Sequence, residues 1–228
     1  MSRIFYLPLL SLVLCMPALV DEDRPERQIK GWGDVTDPEG DCQVAEDQGK
    51  LTIAVPGTYH DLWPDKGKVN APRVLQKRRG DFTVQVNVAG TVCAEKDTVI
   101  PGLASAVPYQ AGSLLIWQDD QNLVRLERGC MIQQGKPLFF CYYQAFKEGK
   151  NVVRLSKTTK DGSLYLRLER RGEDIDASMS YDGKTWHAFK GQAIKLPEQV
   201  QVGVSAVNNT SKPLTAVFED FTITSRSK

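Results

Sequence analysis

The chain has 228 residues, and its 29 Lys and Arg nearly balance its 28 Asp and Glu, giving a formal net charge of +1 at pH 7. This balance leaves no net field that would attract nucleic acid or an anionic membrane, so nucleic-acid binding is disfavoured as a function. About 200 residues remain after the N-terminal segment, which is enough for one domain with a sizeable core.

The N-terminal residues have the pattern of an export signal. Arg3 is followed by an apolar run from Ile4 to Leu14 that is too short to span a bilayer. Lipidation at Cys15 is disfavoured because bulky Leu14 precedes it. We therefore predict a signal peptide over residues 1–20, a secreted or periplasmic location and no membrane span. Residues 21–30 carry many charges and a proline, which predicts a flexible leader.

Four cysteines follow this segment, and an even number in an oxidising compartment favours disulfides. A predicted turn over residues 134–137 sets Cys130 opposite Cys141 in a hairpin, which leaves Cys42 for Cys93. The alternative is four unpaired, buried thiols. No Cys or Cys/His spacing typical of a zinc site is present.

From Gly31 onward the apolar residues recur with a period of two. The stretches DFTVQVNV, LYLRLER, IDASMSY and VQVGVSAV all alternate apolar and polar residues, which is typical of half-buried strands. Turn residues such as Asp182-Gly183 separate them, and no long amphipathic helix is evident. The pattern predicts an all-β antiparallel sandwich or barrel forming a single domain over residues 31–226.

The tetrapeptide Arg-Leu-Glu-Arg occurs twice, at residues 125–128 and 167–170. We interpret both copies as strands with the leucine inward and the Arg and Glu side chains on a solvated, salt-bridged face. A ligand-binding role for these side chains is the less favoured alternative.

Catalytic chemistry finds little support in the sequence. Glu127 and Glu169 are the alternative candidates for a dispersed carboxylate pair of a glycoside hydrolase or lyase, but flanking arginines would keep each one ionised and poor as a general acid. Only His60 and His187 could serve as a triad base, and no nucleophile elbow is present. No catalytic residue is therefore assigned.

Acidic residues near both ends of the domain suggest a possible calcium site. Asp34, Asp37 and Asp41 lie close together in the sequence, and Asp220 lies on a late strand that could meet them. Their spacing is not that of an EF-hand, and turn formation explains them without a metal. We expect no cofactor, with calcium as the alternative.

The order of several motifs resembles one known family. GTYHDLWPDKGKVNAPRVLQKRRGDFTVQVNV, YQAGSLLIWQDDQNLVRLERG, SMSYDGKTWHAF, VGVSAVNN and AVFEDFTI follow, in this order, the pattern of domain of unknown function 1349. This family is also called "regulation of enolase protein"-like and belongs to the concanavalin A-like lectin/glucanase superfamily. The sandwich appended to family 43 β-xylosidases looks similar. The resemblance implies a two-sheet antiparallel jelly roll, and related domains often bind sugars on the concave face. The insertion over residues 91–112 departs from simpler members.

Three functions are compatible with these features. The favoured one is a secreted, non-catalytic module that binds carbohydrate on its concave face through aromatic rings, amides and arginines. The alternatives are the hydrolase or lyase and a structural interaction domain of the cell envelope. The candidate ligand-binding residues are His60, Trp63, Asn70, Arg73, Trp117, Gln118, Arg125, Tyr142 and Tyr143.

Overall fold

The computed structural model describes residues 27–100 and 107–225. The predicted signal peptide and most of the predicted leader lie outside the described residues. Within the described part of the chain, no helix has the length and hydropathy needed to cross a bilayer.

Eighteen strands make up nearly all of the regular structure. In chain order they are β1 (Gln28–Ile29), β2 (Gly33–Thr36), β3 (Gln43–Asp47), β4 (Lys50–Val55), β5 (Leu62–Trp63), β6 (Lys68–Val69), β7 (Arg73–Arg79), β8 (Phe82–Ala89), β9 (Tyr109–Asp119), β10 (Asn122–Gln133), β11 (Lys136–Lys147), β12 (Lys150–Thr158), β13 (Leu164–Arg171), β14 (Asp174–Ser180), β15 (His187–Ala188), β16 (Gln192–Ala193), β17 (Gln199–Asn208) and β18 (Leu214–Ser225). A short 3-10 turn, Pro64–Lys66, separates β5 from β6.

The strands form two large antiparallel sheets. Sheet 1 has the order β1-β2-β7-β17-β9-β10-β11-β12, and sheet 2 has the order β15-β14-β13-β8-β18-β4-β3, with β16 added beside β14. The sheets pack face to face as a jelly-roll sandwich, which confirms the predicted fold class.

The main core lies between the two sheets. The valines of β8 and the leucines of β13 that the alternation predicted to be buried are all in this core, for example Val86 and Leu166. They face apolar side chains of sheet 1 such as Ile116 and Leu126. The period-two pattern therefore identified the inner faces of these strands correctly.

The first strand begins inside the predicted leader. Gln28 and Ile29 pair with β2, and Ile29 is buried. Trp32 is also buried, and its ring stacks on that of Phe221 in β18 with centroids 4.9 Å apart. Sheet 1 therefore starts earlier in the chain than the sequence pattern predicted.

The hairpin between β10 and β11 differs from the prediction in register. Its turn has two residues, Gln134 and Gly135, and both have positive φ as expected for a tight hairpin turn. The predicted four-residue turn displaced the pairing by two residues. Cys130 therefore faces Phe139, and Cys141 faces Arg128.

The predicted disulfide pairing is wrong for the same reason. Cys93 is bonded to Cys130, with their Cα atoms 4.6 Å apart, whereas Cys42 and Cys141 are free thiols. The bond ties the described start of the 91–112 insertion to β10. A backbone bridge between Val99 and Thr210 attaches the same stretch to the residues that follow β17.

Candidate functional site

Residues 56–72, here called the covering segment, connect β4 of sheet 2 to β7 of sheet 1. The segment lies on the outer face of sheet 1, which is the face that points away from sheet 2. Leu62 is fully buried in a second hydrophobic cluster with Leu115 and Leu123 of that face. The ring of Trp63 packs edge-on against Phe146 at 6.3 Å between centroids. The covering segment therefore forms a third layer.

His60 and Asn70 hold the covering segment in shape. The Asn70 side chain accepts a hydrogen bond from the Asp61 backbone N–H at 3.0 Å and donates one to the Tyr59 carbonyl at 2.8 Å. His60 Nδ1 lies 3.3 Å from the Asn70 carbonyl oxygen, and both side chains are buried. These two predicted ligand-binding residues have a structural role in positioning Asp61 and Trp63.

Arg125 lies at the centre of a buried polar group beneath this segment, here called the Arg125 cluster. Its Nη1 is 3.2 Å from a carboxylate oxygen of Asp61 and 3.2 Å from one of Glu127. Its Nε donates to Gln144 Oε1 at 2.8 Å. Burial alone would lower the pKa of Arg125, but the two carboxylates raise it, so the guanidinium stays cationic.

Glu127 belongs to the same cluster and is fully buried. It accepts hydrogen bonds from the Tyr109 hydroxyl at 2.7 Å and from the Ser113 hydroxyl at 3.3 Å. Burial raises the pKa of Glu127 above its usual value, although Arg125 and the Tyr109 hydroxyl act in the opposite direction. Burial also raises the pKa of Tyr109, so its phenol remains a hydrogen-bond donor.

The two Arg-Leu-Glu-Arg copies have different environments. The prediction of a solvated face is wrong for the first copy, because the covering segment buries Arg125 and Glu127 and adds the second acid, Asp61. In the second copy, Arg167 and Glu169 are partly exposed on sheet 2. Arg167 Nη1 lies 4.0 Å from a carboxylate oxygen of Glu169. Glu127 and Glu169 therefore lie on different sheets and do not form a carboxylate pair.

Three buried donor atoms around Arg125 have no hydrogen-bond partner among the described residues: Arg125 Nη2, Gln144 Nε2 and Trp63 Nε1. Gln144 accepts from Arg125 Nε, and the guanidinium carbon of Arg125 is 5.2 Å from the centre of the Trp63 ring, so the three side chains are neighbours. A buried donor left without a partner costs about 1–3 kcal/mol. Because the three unpartnered atoms are all donors, they are complementary to a ligand rich in oxygen acceptors.

The rim above these donors consists of two partly exposed rings and one exposed arginine. The guanidinium carbon of Arg154 lies 5.6 Å from the Trp63 ring centre and 5.7 Å from that of Tyr142. Its Nε contacts the Tyr142 hydroxyl. Arg154 faces Gln144 across β11 and β12. Sequence reasoning missed both Arg154 and Gln144, and the strand register was the signal that could have identified them.

The other predicted ligand-binding residues lie elsewhere. The guanidinium carbon of Arg73 lies 4.4 Å from the centre of the Trp117 ring on the outer face of sheet 1, and both residues are buried. Burial lowers the pKa of Arg73, while Asp120 partly opposes this. Gln118 Nε2 donates to its neighbour Asp119 at 3.0 Å, outside the Arg125 cluster.

The prediction for Tyr143 is wrong. Its ring lies in the core between the sheets, and its hydroxyl donates to the Ile175 carbonyl at 3.1 Å. Consecutive residues of a strand point to opposite faces, so Tyr142 and Tyr143 could not both reach one ligand.

The four predicted calcium ligands are not assembled as one set. Asp34, on sheet 1, accepts a hydrogen bond from Gln28 at 2.9 Å, and Asp220, on sheet 2, accepts one from the Tyr165 hydroxyl at 2.7 Å. Asp41 instead lies with Cys42 and His60, in the one grouping of metal-ligating side chains found among residues 27–100 and 107–225.

Comparison with known proteins places the chain in a family. The family described as "Protein of unknown function (DUF1349)" matches residues 41–226. The chain belongs to this family. None of the curated proteins compared with this DUF1349 chain matches it.

Solved structures share the fold of this DUF1349 domain at low identity. A functionally unknown protein from Saccharomyces cerevisiae is 17% identical with a TM-score of 0.64, and the match covers 82% of this chain and 93% of that one. The GH43 protein BlXynB from Bacillus licheniformis is 16% identical with a TM-score of 0.61, over 84% of this chain and 36% of that one. The carbohydrate binding module CBM66 from Bacillus subtilis is 14% identical with a TM-score of 0.51, over 87% and 100%. At these identities the similarity establishes the fold.

In this DUF1349 domain we expect Glu127→Gln to change how the free energy of unfolding depends on pH. The raised pKa means that Glu127 takes up a proton more readily in the folded chain than in the unfolded chain, whereas glutamine does not titrate. This contribution to wild-type stability is fully present below the unfolded-state pKa and is lost as the pH rises through the folded-state pKa. Urea denaturation at pH 7 and near pH 4.5 should therefore show the wild type gaining stability relative to the variant at the lower pH.

The matched control for this experiment is Glu169→Gln in the second tetrapeptide copy. Its carboxylate is partly exposed, so we expect a change of about 1 kcal/mol or less at pH 7. The same pH dependence in the wild type and in Glu127→Gln would contradict a raised pKa of Glu127 in the folded protein.

Proposed function

We propose that this chain is a secreted, non-catalytic module that binds carbohydrate on the outer face of sheet 1. The site is the place where Trp63, Tyr142 and Arg154 lie over Arg125 and Gln144. The observation that carries the proposal is the set of three unpartnered, buried donors beneath two partly exposed aromatic rings.

The chemistry of the site suits a saccharide. Sugar hydroxyls and carboxylates offer oxygen acceptors to the N–H groups of Arg125, Gln144 and Trp63, and guanidinium and amide groups are planar, directional donors. The apolar face of a pyranose packs against aromatic rings such as those of Trp63 and Tyr142. The site needs no cofactor for this kind of recognition.

Arg154 occupies the space that a sugar ring would take. Its side chain is exposed on β12, the edge strand of sheet 1, and lies near the centres of both rings. A cation–π contact at an exposed position contributes only about 0.5–1 kcal/mol, so a ligand can displace it at small cost. Binding then consists of Arg154 moving outward and the sugar entering between the Trp63 and Tyr142 rings toward Arg125.

The arrangement of the acids supports a binding role over catalysis. A glycosidase needs one carboxylic acid beside the scissile bond and a second carboxylate across it. Here Asp61 and Glu127 are both buried and both contact Nη1 of the same arginine. They stabilise the guanidinium that presents donors to the ligand.

Two further findings support the proposal. The disulfide between Cys93 and Cys130 suits an oxidising compartment, in keeping with the predicted signal peptide. The fold is shared with a carbohydrate binding module, CBM66 from Bacillus subtilis, over the whole of that module.

A glycan array with the exported chain tests the proposal. We expect at least one glycan to be retained, and Trp63→Ala and Gln144→Leu each to weaken its binding about tenfold or more, which corresponds to about 1.4 kcal/mol. Arg154→Ala should bind as tightly as the wild type or more tightly, because the side chain that the ligand displaces is absent.

Trp186→Ala is the matched control for this array. The guanidinium carbon of Arg167 lies 3.5 Å from the centre of the Trp186 ring on the outer face of sheet 2. This is a similar arginine–tryptophan pair at a different site. Loss of binding in this variant alone would move the site to sheet 2. Retention of no glycan would contradict carbohydrate binding and favour a structural interaction domain.

A further inference from the structure

We infer that Asp41, Cys42 and His60 form a zinc-binding site that joins the covering segment to the start of sheet 2. Asp41 and Cys42 directly precede β3, whereas His60 belongs to the covering segment. One ligand atom from each residue lies within 4.8 Å of the other two. The inference is independent of the proposed carbohydrate site.

His60 is oriented as a metal ligand requires. Its Nδ1 lies 3.3 Å from the Asn70 backbone carbonyl, which can only accept, so Nδ1 can donate there when a metal occupies Nε2. Nε2 lies 3.3 Å from the Asp41 carboxylate and 2.9 Å from the Thr58 hydroxyl. A hydrogen bond from the second ring nitrogen to a backbone carbonyl is the usual way in which a metal-binding histidine is fixed.

The three groups lie close to the spacing that tetrahedral zinc requires. Zinc binds sulfur at about 2.3 Å, and nitrogen and oxygen at about 2.0–2.2 Å, so adjacent ligands of a tetrahedron lie roughly 3.3–3.8 Å apart. One oxygen of the Asp41 carboxylate is 3.3 Å from His60 Nε2, and the other is 3.5 Å from Cys42 Sγ. The three ligand atoms lie within 4.8 Å of one another, so side-chain rotations would have to bring them to the tetrahedral spacing.

Asp37 can supply the fourth ligand. One of its carboxylate oxygens accepts the Cys42 backbone N–H at 2.9 Å, which places the carboxylate beside the thiol. The other oxygen is buried and has no hydrogen-bond partner among the described residues. This unpartnered buried oxygen belongs to a residue that contacts Cys42, one of the three proposed ligands, and a bound cation would give it a partner.

The donor set distinguishes zinc from other assignments. Calcium and magnesium prefer oxygen ligands alone, whereas thiolate and imidazole suit zinc. A bound dication compensates the negative charges of the two carboxylates and the thiolate.

The site has a route for the ion to enter. Asp41 has 38% of its side chain exposed, while His60 has none. The ion would therefore approach from the Asp41 side and meet His60 last. Once bound, the ion would link the covering segment, which carries Asp61 and Trp63, to the start of β3. This link would add to the covalent connection of the segment to β4.

The experiment is a titration of the metal-free full chain with Zn²⁺ and with Co²⁺ as a spectroscopic probe. We expect one equivalent bound per chain, a thiolate-to-cobalt charge-transfer band, and a higher midpoint of thermal unfolding with zinc. Cys42→Ser should lose the charge-transfer band, and Asp41→Asn should weaken zinc binding about 10–100-fold. Asp41 is partly exposed, so this variant is expected to fold even if His60→Gln does not.

His187→Gln is the matched control, since His187 is the only other histidine of the chain and is exposed. It should bind zinc like the wild type. Absence of saturable binding at one equivalent would overturn the inference, and so would a charge-transfer band that persists in Cys42→Ser. Because the readouts are metal stoichiometry, absorption and thermal unfolding, they do not depend on whether any glycan binds.

Discussion

Replacing Arg125 with methionine is expected to lower the free energy of unfolding by about 3–5 kcal/mol. The substitution leaves the carboxylates of Asp61 and Glu127 buried, with side-chain exposures of 5% and 0%, and without their shared cation. Removing one member of a buried ionic group is costly because the remaining charge loses its partner while staying desolvated. Urea denaturation at pH 7 measures the change.

Arg167→Met is the matched control for this prediction. Arg167 occupies the same position in the second Arg-Leu-Glu-Arg copy, but its side chain is 23% exposed and its partner Glu169 is 16% exposed. We expect a loss of about 1 kcal/mol or less. Equal losses in the two variants would contradict the assignment of a buried cluster to the first copy.

A triple variant tests the reason for the Arg125 effect. Adding Asp61→Asn and Glu127→Gln to Arg125→Met removes both unpaired carboxylates. Residues in one network do not contribute additively, so the triple variant is expected to recover part of the stability that Arg125→Met loses. If the triple variant instead loses as much stability as the three single substitutions added together, charge is not the cause of the Arg125 effect.

Cys93→Ser is expected to lower the free energy of unfolding by roughly 2–4 kcal/mol, through loss of the bond to Cys130. The bond closes a loop between residues 37 positions apart, and loss of this cross-link restores conformational freedom to the unfolded chain. Thermal or urea unfolding under non-reducing conditions measures the effect. Cys42→Ser, in the presence of a chelator, is the control, since this thiol is free.

Peptide mapping without reduction tests the pairing itself. The peptide that contains Cys93 should be linked to the one that contains Cys130. In the presence of a chelator, partly exposed Cys42 should react with an alkylating reagent more readily than Cys141, which is buried and should react only after unfolding. A link between Cys130 and Cys141 would contradict the structure and restore the pairing predicted from the sequence.

Much of the sandwich could be predicted from local pattern. Strands such as β8 and β13 bury one face only, so their alternation reports directly on which side chains point inward. The register between strands was harder to predict from the sequence, because it depends on the length of the turn. Gln134-Gly135 forms a two-residue turn inside a stretch that also permits a longer one.

The candidate site could be predicted only in part, because its burial is not local. Trp63, Arg125 and Tyr142 were identified by residue type and do lie together. Nothing in the residues around Arg125 shows that Asp61, 64 positions earlier in the chain, covers it. A polar face that is solvated and one that is covered have the same alternation, as the two tetrapeptide copies demonstrate.

The covering segment also has a consequence for how the chain reaches its folded state. Strands β5 and β6 of this segment pair with each other and not with sheet 1. A folding intermediate with sheet 1 formed and this segment detached would expose the apolar side chains of Leu115, Leu123 and Phe146 beside a hydrated Arg125. Such surfaces make partly folded chains prone to aggregation. The charged Arg125 side chain interrupts this apolar surface until the covering segment packs onto sheet 1 and Asp61 pairs with Arg125.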